Sequence, residues 1–210
     1  MVIRIAGVFL ACMLLPALAM AGAPFNMSFS SAAAPQGGLA AITFSFDHSE
    51  PNGVQGFSFG VCHTESVLSL EPVGSSGDFD EVVDWSSTVE TLKQGANPDF
   101  FQQNLESGGW TVGCVICFTS CDVLAPGSYE FGTAYYRVNG QVGEVGTVGI
   151  CSTLGSPPVS SVAVVNGASL PMTSQDGSVE NTPDLQSPAK ASLVCRPVLG
   201  KKEEEATGTP

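Results

Sequence analysis

The stretch Trp110-Thr111-Val112-Gly113-Cys114-Val115-Ile116-Cys117-Phe118 decides the fold class of this chain. Large apolar residues stand at every second position of the stretch, which is the period of a β-strand with one buried face. Pro126-Gly127 then turns the chain into a second alternating run from Tyr129 to Val138, and Asn139-Gly140 is a dipeptide typical of tight hairpin turns. The centre of the chain is therefore predicted to consist of consecutive strands.

Similar runs lie on both sides of this centre. Ile42 to Phe46 alternates, Glu50-Pro51-Asn52-Gly53 is a turn signal, and Phe57 to Cys62 alternates again. Val142 to Ile150 and Val159 to Val165 are further strands toward the C-terminus. About nine such strands at close spacing, with only short helices between them, predict an all-β protein, an antiparallel jelly-roll-like β-sandwich.

The connection 84–108 is predicted to hold one or two short helices. Trp85 to Gln94 has room for one or two helical turns. Asn97-Pro98-Asp99 has the features of a helix start, with an N-cap residue, a proline at the first helical position and an acid in the first turn. We therefore predict a short helix over Phe100 to Leu105.

The chain begins with a predicted signal peptide over residues 1–21. One charge, Arg4, precedes an apolar run from Ala6 to Leu18, and Ala19-Met20-Ala21 offers the small residues of a signal-peptidase site. The apolar run is too short for a membrane span, and no transmembrane segment is predicted in the mature chain. A lipoprotein-type cleavage at Cys12 is the weaker alternative, because the apolar run continues past this cysteine.

The mature chain, residues 22–210, is predicted to comprise one folded domain over 22–180 and a disordered tail over 181–210. The tail is rich in proline, serine, alanine and charge, which offer little apolar surface to bury. The signal peptide predicts that the protein is secreted or held at the cell surface, where cysteines commonly form disulfides.

The chain is strongly acidic. Its formal net charge is −13, from 7 Lys and Arg against 20 Asp and Glu, and removal of Arg4 with the signal peptide lowers it to −14. Such a body repels phosphate, so a nucleic acid partner and an anionic membrane surface are both disfavoured. The acidity is explained by solubility outside the cell or, more specifically, by binding of a cation or a cationic partner.

Six cysteines of the mature chain are disulfide candidates: Cys62, Cys114, Cys117, Cys121, Cys151 and Cys195. Six cysteines allow many pairings, which the sequence does not resolve. A local bridge between Cys117 and Cys121, across a turn-sized loop, is preferred. The spacing of Cys114, Cys117 and Cys121 also resembles a metal site, but export favours disulfides and zinc normally needs two such pairs. Cys195 either tethers the tail or stays free.

One acidic loop is a weak calcium candidate. Asp78, Asp80, Glu81 and Asp84 place carboxylates close together in a loop bounded by glycine, and calcium prefers oxygen ligands. The loop does not follow the EF-hand pattern, and a solvated loop is the simpler interpretation. No other cofactor is predicted.

The sequence does not predict an enzyme. It contains no His-Glu-x-x-His motif, and no nucleophile elbow is predicted. Cys62 and His63 are adjacent, but adjacent strand residues face opposite sides, so they do not form a catalytic dyad. His48 lies in a predicted turn. Carboxylate pairs that are distant in sequence leave a small secreted hydrolase as one alternative.

Four aromatic residues leave a second alternative, a carbohydrate-binding module. A sugar-stacking platform would be built from Trp85, Trp110, Tyr135 and Tyr136. Residues of these types more often pack in the core or at a sheet edge.

Several segments resemble parts of cohesin modules. Val54 to Val61 followed by Val67-Leu68-Ser69-Leu70 resembles their opening strands, Leu124 to Tyr129 resembles the turn into a central strand, and Gln175 to Val179 resembles the terminal strand. The resemblance covers nearly all of the predicted domain. It implies a non-catalytic, jelly-roll-like sandwich that holds dockerin-bearing proteins.

We therefore predict a secreted, non-catalytic module for binding or adhesion in an extracellular or cell-surface assembly. Its expected partner is a protein, such as a dockerin-like protein, and the alternative partner is a polysaccharide. A flat polar sheet face would favour a protein partner, and exposed coplanar aromatic rings would favour a polysaccharide. A pocket with convergent carboxylates would favour an enzyme.

Overall fold

The computed structural model describes residues 24–74, 82–119 and 122–184. Short strands dominate these residues, as the alternating runs predicted, and form two sheets packed face to face. In chain order the elements are β1 (Phe25–Phe29), β2 (Ala32–Pro35), β3 (Leu39–His48), β4 (Gly56–His63), β5 (Leu68–Glu71), β6 (Asp84–Trp85), α1 (Ser87–Glu90), β7 (Phe100–Glu106), β8 (Gly109–Val115), β9 (Gly127–Val138), β10 (Val145–Cys151), β11 (Val162–Val165), β12 (Ala168–Pro171), β13 (Thr173–Gln175) and β14 (Gly177–Thr182).

The two sheets differ in size. The smaller sheet has the strand order β13-β1-β3-β9-β5, and β6 also pairs with β9. The larger sheet has the order β12-β11-β4-β10-β14-β2. In it, β10 and β11 pair with successive parts of β4, and β8 and then β7 extend the sheet on the other side of β4. All pairs are antiparallel except β1 with β13 and β14 with β2. The predicted sandwich is confirmed.

The number of strands is larger than predicted. The described residues contain fourteen strands rather than about nine, because several expected connections pair as strands of two to four residues. Such short runs carry too few alternating positions to be recognised from sequence.

Aromatic side chains fill the space between the sheets. Phe44 of the smaller sheet contacts Trp110 of the larger sheet with ring centroids 5.4 Å apart, and Phe131 contacts Phe57 at 5.0 Å. Trp85 meets the Phe44 ring edge-on at 5.3 Å. All five side chains are at most 3% exposed. Burial of one large apolar side chain stabilises a fold by about 2 kcal/mol or more, so these alternating residues drive the two sheets together.

The predicted helix over Phe100 to Leu105 is wrong, because these residues form β7. The strand pairs with β8 in unbroken register over all seven of its residues. The helix-start signal at Asn97-Pro98-Asp99 is local, and a helix of one or two turns is unstable by itself. Pairing with β8 satisfies the backbone groups on one side of the strand, and the Phe101 ring packs edge-on against Trp85. The helical turn predicted between Trp85 and Gln94 is confirmed as α1.

The strand predicted from Trp110 to Phe118 ends earlier than expected, at Val115. Ile116 is still buried, but Phe118 is 68% exposed on the loop that follows. The backbone N–H of Phe118 donates to the carboxylate of Asp99 at 2.9 Å instead of to a neighbouring strand. This hydrogen bond turns the chain out of the sheet.

The end of the domain also differs from the prediction. β14 continues through Thr182, so a boundary after residue 180 falls inside this strand. Asn181 is 1% exposed, and its side-chain amide donates to the carbonyl of Gly140 at 2.5 Å. The predicted signal peptide and nearly all of the predicted tail lie outside the described residues. Within the three described ranges, no helix is long and apolar enough to cross a membrane.

Candidate binding face

The outer side of the larger sheet is the candidate binding face. In β4, Phe57 and Phe59 are buried between the sheets, so Ser58 lies on the outer side. In β8, Trp110 is buried in the same way, so Gly113 lies opposite Ser58 on the outer side. We call the outer side of β7, β8, β4 and β11 the groove face.

A groove of about 330 Å³ crosses the groove face. One wall is formed by alternate residues of β7 and the other by the proline-containing loop between β10 and β11. The lining residues that matter most are Phe100, Gln102 and Asn104 on β7, Ser58 and Gly113 on the floor, and Pro157 to Val159 on the loop.

The second wall is anchored to the sheet. The hydroxyl of Ser58 donates to the carbonyl of Ser160 at 2.9 Å. The Leu154 side chain packs against Gly109, where an added Cβ would lie 2.7 Å from Leu154 Cδ1. The backbone oxygen of Val61 in β4 lies closer still to this added Cβ, so glycine at position 109 allows both the neighbouring strand and the loop to approach closely.

A second hollow of about 210 Å³ extends the groove face toward β11. Val115 and Val164 contribute apolar surface, and the exposed Phe118 ring borders them. Lys93 and the Phe118 N–H both bond to the Asp99 carboxylate, and these two interactions hold the pKa of Asp99 below its usual value. Phe118 is thus an exposed aromatic ring on a loop that is tied to its neighbours.

The loop that carries Phe118 is also tied down at its far end. Val54 and Leu124 exchange two backbone hydrogen bonds of 2.9 and 2.8 Å. The Asp122 carboxylate accepts the backbone N–H of Gln94 at 2.5 Å. Because both ends are fixed, little conformational entropy is lost if Phe118 is buried by a partner.

The side chains that line the groove are amides, hydroxyls and apolar groups. Such groups hold a ligand by hydrogen bonds and by burial, whereas acid–base catalysis uses carboxylates, imidazoles or similar titratable groups. The groove therefore has the chemistry of a binding surface.

Gly56-Phe57-Ser58-Phe59-Gly60 matches the letters of the nucleophile-elbow motif Gly-x-Ser-x-Gly. That motif needs a sharp turn between a strand and a helix, but here it lies within β4. The Ser58 hydroxyl is used to hold the Ser160 carbonyl. The pattern is therefore part of a strand and not a catalytic elbow.

The outer side of the smaller sheet is also polar. The hydroxyls of Thr43 and Thr133 lie 3.4 Å apart, and Arg137 is paired with Glu71 at 2.6 Å. A polar sheet face is one feature that favours a protein partner. The groove face adds a concave shape and an exposed aromatic ring, which mark interaction sites more specifically.

The cysteines do not pair as a single cluster. Cys62 and Cys151 form a disulfide between β4 and β10 with Cα atoms 5.7 Å apart. Cys114 is a free, buried thiol, so the prediction that it forms a disulfide is wrong. Burial raises the pKa of this thiol. Cys117 is disulfide-bonded. Its partner is not among the described residues, so the Cys117–Cys121 bridge stays a prediction, as does the role of Cys195.

The acidic-loop prediction is untested. Asp84 is exposed and belongs to β6, whereas Asp78, Asp80 and Glu81 lie outside the described residues. Within the described ranges, no three His, Cys, Asp or Glu side chains are grouped so that they could hold a metal ion.

The predicted sugar-stacking platform is wrong. Trp85, Trp110 and Tyr136 are at most 3% exposed because they pack between the sheets. Tyr135 lies on the outer side of the smaller sheet, beside Ala41. Three of the four aromatic residues therefore belong to the core, and Tyr135 lies on the smaller sheet, away from the groove face.

Both histidines are partly or fully buried beside aromatic rings. His48 stacks with Phe46 at 5.4 Å and with Phe25 at 6.1 Å, and burial lowers its pKa. His63 lies 5.3 Å from the Tyr136 ring, and burial lowers its pKa as well. The neighbouring Cys62 is engaged in a disulfide, which agrees with the prediction that no thiol dyad exists here.

The sequence interpretation missed the groove itself. The sequence predicts a helix for Gln102 and Asn104, and it gives no role to the loop between Ile150 and Val159. Only the pairing of β7 with β8 brings these segments to opposite sides of Gly113. The sequence Phe-Phe-Gln-Gln-Asn-Leu-Glu of β7 has no regular alternation of apolar and polar residues, so no local signal predicts a strand here.

No protein-family model and no curated protein matches this chain. Solved structures do match it. The third cohesin of ScaC from Acetivibrio cellulolyticus, in complex with the ScaB dockerin, aligns with a TM-score of 0.56 and 14% identity over 76% of this chain and 99% of that chain. The OlpC cohesin from Clostridium thermocellum, in complex with a dockerin, aligns with a TM-score of 0.54 and 12% identity over 75% and 92%.

A cohesin described as non-cellulosomal, from the hyperthermophilic archaeon Archaeoglobus fulgidus, aligns with a TM-score of 0.52 and 16% identity over 77% of this chain and 93% of that chain. The chain therefore has a cohesin-like β-sandwich fold, as the sequence resemblance predicted. At these identities the likeness concerns the fold alone.

Proposed function

We propose that this protein is a secreted, non-catalytic module that binds a protein partner through the groove face, in an extracellular or cell-surface assembly. The observation that carries the proposal is Phe118, a 68% exposed aromatic ring on a loop anchored through Asp99. The ring borders the hollow that extends the groove face, beside a groove lined by amides, hydroxyls and apolar groups. Protein interfaces typically combine an aromatic centre with a polar rim.

The structural neighbours add support for the class of partner. Two of the similar cohesins were solved in complex with dockerins. A dockerin-like protein is therefore the partner class that we propose. A polysaccharide partner has lost its main support, because Trp85, Trp110 and Tyr136 are buried.

The proposed function is tested by replacing the exposed ring. Phe118→Ser is expected to weaken binding of the natural partner, captured from the native secretome, by about 30-fold in Kd, since loss of a central interface anchor costs about 2 kcal/mol. Leu39→Ser is the matched control, because Leu39 is 53% exposed on the smaller sheet.

The measurement is a titration of purified partner against each variant by calorimetry. Equal affinity of Phe118→Ser and the unaltered protein would place the interface elsewhere. Retention on a polysaccharide array that Gln102→Ala abolishes, without any protein partner, would favour the carbohydrate alternative. Export is checked separately, by an N-terminus at or near Gly22 in the secreted protein.

A further inference from the structure

A cleft of about 270 Å³ opens between the two sheets at one end of the sandwich. It lies between the start of β5 and the turn that joins β7 to β8. Leu68 and Leu70 on one side and Leu105 on the other supply apolar surface. Leu105 is 55% exposed, so part of this apolar surface faces solvent.

The rim of the cleft is acidic. Glu65 and Glu106 line it, and the Glu65 carboxylate lies against Gly108 in the turn between β7 and β8. Both Lys and Arg side chains among the described residues are already paired with other carboxylates. His63 also lines the cleft, but burial lowers its pKa, so its ring carries no charge at neutral pH. The cleft therefore attracts a basic, partly apolar segment.

The chain leaves β14 at the same end of the sandwich. The side-chain amide of Asn181 donates to the carbonyl of Gly140 at 2.5 Å, which ties the end of β14 to the loop after β9. In that loop the N–H groups of Asn139 and Gly140 donate to the carbonyl of Val67 at 2.7 and 3.1 Å. Val67 directly precedes β5, which forms one side of the cleft.

The chain after Asp184 is long enough to reach the cleft. Four strand spacings separate β14 from β7, in the order β14-β10-β4-β8-β7. At about 4.8 Å for each spacing this distance is about 19 Å. Lys190 is the sixth residue after Asp184, and six extended residues span up to about 20 Å. Lys190 and the residues that follow it can therefore lie in the cleft.

Residues 185–202 also have the composition that the cleft requires. They contain no Asp or Glu, and their basic residues are Lys190, Arg196, Lys201 and Lys202. The apolar pair Leu193-Val194 lies between the first two of these. The segment thus combines apolar and basic side chains, as the cleft combines leucines with glutamates.

We propose that residues 190–196 of this chain occupy the cleft, with Leu193 over Leu105 and the two basic residues of the segment beside the acidic rim. The covalent connection keeps the segment at a local concentration in the millimolar range, so a weak contact suffices. Exposed ion pairs add little stability, so the contact positions the segment rather than holding the sandwich together. The site is separate from the groove face and does not depend on the function proposed there.

The probe is a carbodiimide, which joins an amine to a carboxylate where the two are in contact. The mature chain is treated, digested and analysed by mass spectrometry. A cross-link from Lys190 to Glu65 or Glu106 is expected, about three-fold or more abundant than cross-links from Lys201 or Lys202 to the same carboxylates. Salt at 1 M is expected to reduce it, because the screening length falls to about 3 Å.

Variants of the segment test the apolar contact. Leu193→Ser is expected to lower the yield of the Lys190 cross-link by about three-fold or more and to shift the methyl resonances of Leu105. Val198→Ser is the matched control, because it removes an apolar side chain of the same chain region outside residues 190–196.

Variants of the sandwich test the other side of the contact. Leu105→Ser is expected to lower the cross-link yield by a similar factor. Leu39→Ser, which changes a leucine of equal exposure on the smaller sheet, is expected to leave it unchanged. Phe118→Ser is also expected to leave it unchanged, which separates this test from that of the groove face.

Three results would overturn the proposal. Equal cross-linking of Lys190 and of Lys201 or Lys202 to the cleft would show only general attraction to an acidic protein. Cross-links that join labelled to unlabelled chains in a mixture of the two would show that a second copy supplies the segment. Absence of the cross-link, with Leu105 resonances that Leu193→Ser leaves unchanged, would show that this segment does not occupy the cleft.

Discussion

At the scale of single residues, one covalent link joins distant parts of the larger sheet. Cys62 of β4 and Cys151 of β10 are 89 residues apart in sequence and form a disulfide. A cross-link of this span removes much conformational freedom from the unfolded chain. Its stabilisation is about 4 kcal/mol by chain-entropy arguments.

Replacing both cysteines, Cys62→Ala with Cys151→Ala, is expected to lower the free energy of unfolding by about 4 kcal/mol in urea titrations. Cys114→Ala is the control, because Cys114 is buried but free. It is expected to cost only about 1 kcal/mol, through lost packing. Equal losses for the two variants would contradict a special contribution from the cross-link.

The buried His48 and the partly buried His63 make stability depend on pH. Burial is the main cause that lowers the pKa of His48 and His63 below 6.5, and it outweighs the opposite effects of Glu50 and Glu65. The unfolded chain then binds more protons than the folded chain once the pH falls below about 6.5. Their contribution to stability is fully present above this pH and is lost as the pH falls toward the lowered values.

His48→Phe is expected to reduce the loss of stability between pH 7.5 and 5.5, and His63 is expected to account for part of what remains. Phenylalanine suits the site because the His48 ring already stacks among Phe25, Phe46 and Tyr129. Urea titrations of both proteins at both pH values give the comparison. An unchanged loss would show that His48 does not contribute.

At the scale of the elements, the turn between β3 and β4 supports the loop that carries Phe118. Gly53 has φ +71°, and an added Cβ would lie 2.6 Å from Val123 Cγ2 and 2.8 Å from the carbonyl oxygen of Leu124. The next residue, Val54, exchanges two backbone hydrogen bonds with Leu124. A side chain at position 53 would therefore disturb the anchor of this loop.

Gly53→Ala is expected to lower the free energy of unfolding by about 2 to 3 kcal/mol, from backbone strain and crowding together. Gly167→Ala is the matched control, because Gly167 has φ +76° with no atom within 4 Å of an added Cβ. It is expected to cost about 1 kcal/mol, from strain alone. Thermal and urea unfolding measure both. If Gly53→Ala lowers the free energy of unfolding no more than Gly167→Ala does, the loop around Val123 can move to accommodate the added Cβ at little cost.

At the scale of the whole molecule, the folded unit extends to the end of β14. Asn181 pairs in β14 with β2 and is buried against Gly140, and Gly143 donates its N–H to the Asn181 carbonyl at 2.8 Å. The chain after Asp184 is rich in proline, serine and charge. We expect that it adds little to the stability of the sandwich.

Truncation after Asp184 is expected to cost about 1 kcal/mol or less, the scale of a surface change. Truncation after Glu180 is expected to cost about 2 kcal/mol or more, because it removes the buried Asn181 and its hydrogen bonds. Melting curves under oxidising conditions compare the two. Failure of the longer variant to fold would show that residues 185–210, or a bridge from Cys195, are structural.

Several features of the fold could be predicted from particular residues. The alternation of Phe57 and Phe59 predicted one buried face for β4, and Trp110 and Val112 did the same for β8. The buried face of a strand depends on the residues of that strand alone, so it can be predicted from a few neighbouring positions. The order of the strands then sufficed for the resemblance to cohesins.

The sequence alone therefore determined the fold class, the buried faces and most of the strand positions, because alternation and turn residues act within a few positions. Only the tertiary structure decided that Phe100 to Glu106 is a strand, that Cys62 pairs with Cys151, and that Phe118 is exposed. Each of these depends on contacts between segments far apart in the chain. Backbone pairing with β8 overrides a local helix signal, and the approach of β4 to β10 selects one disulfide among many.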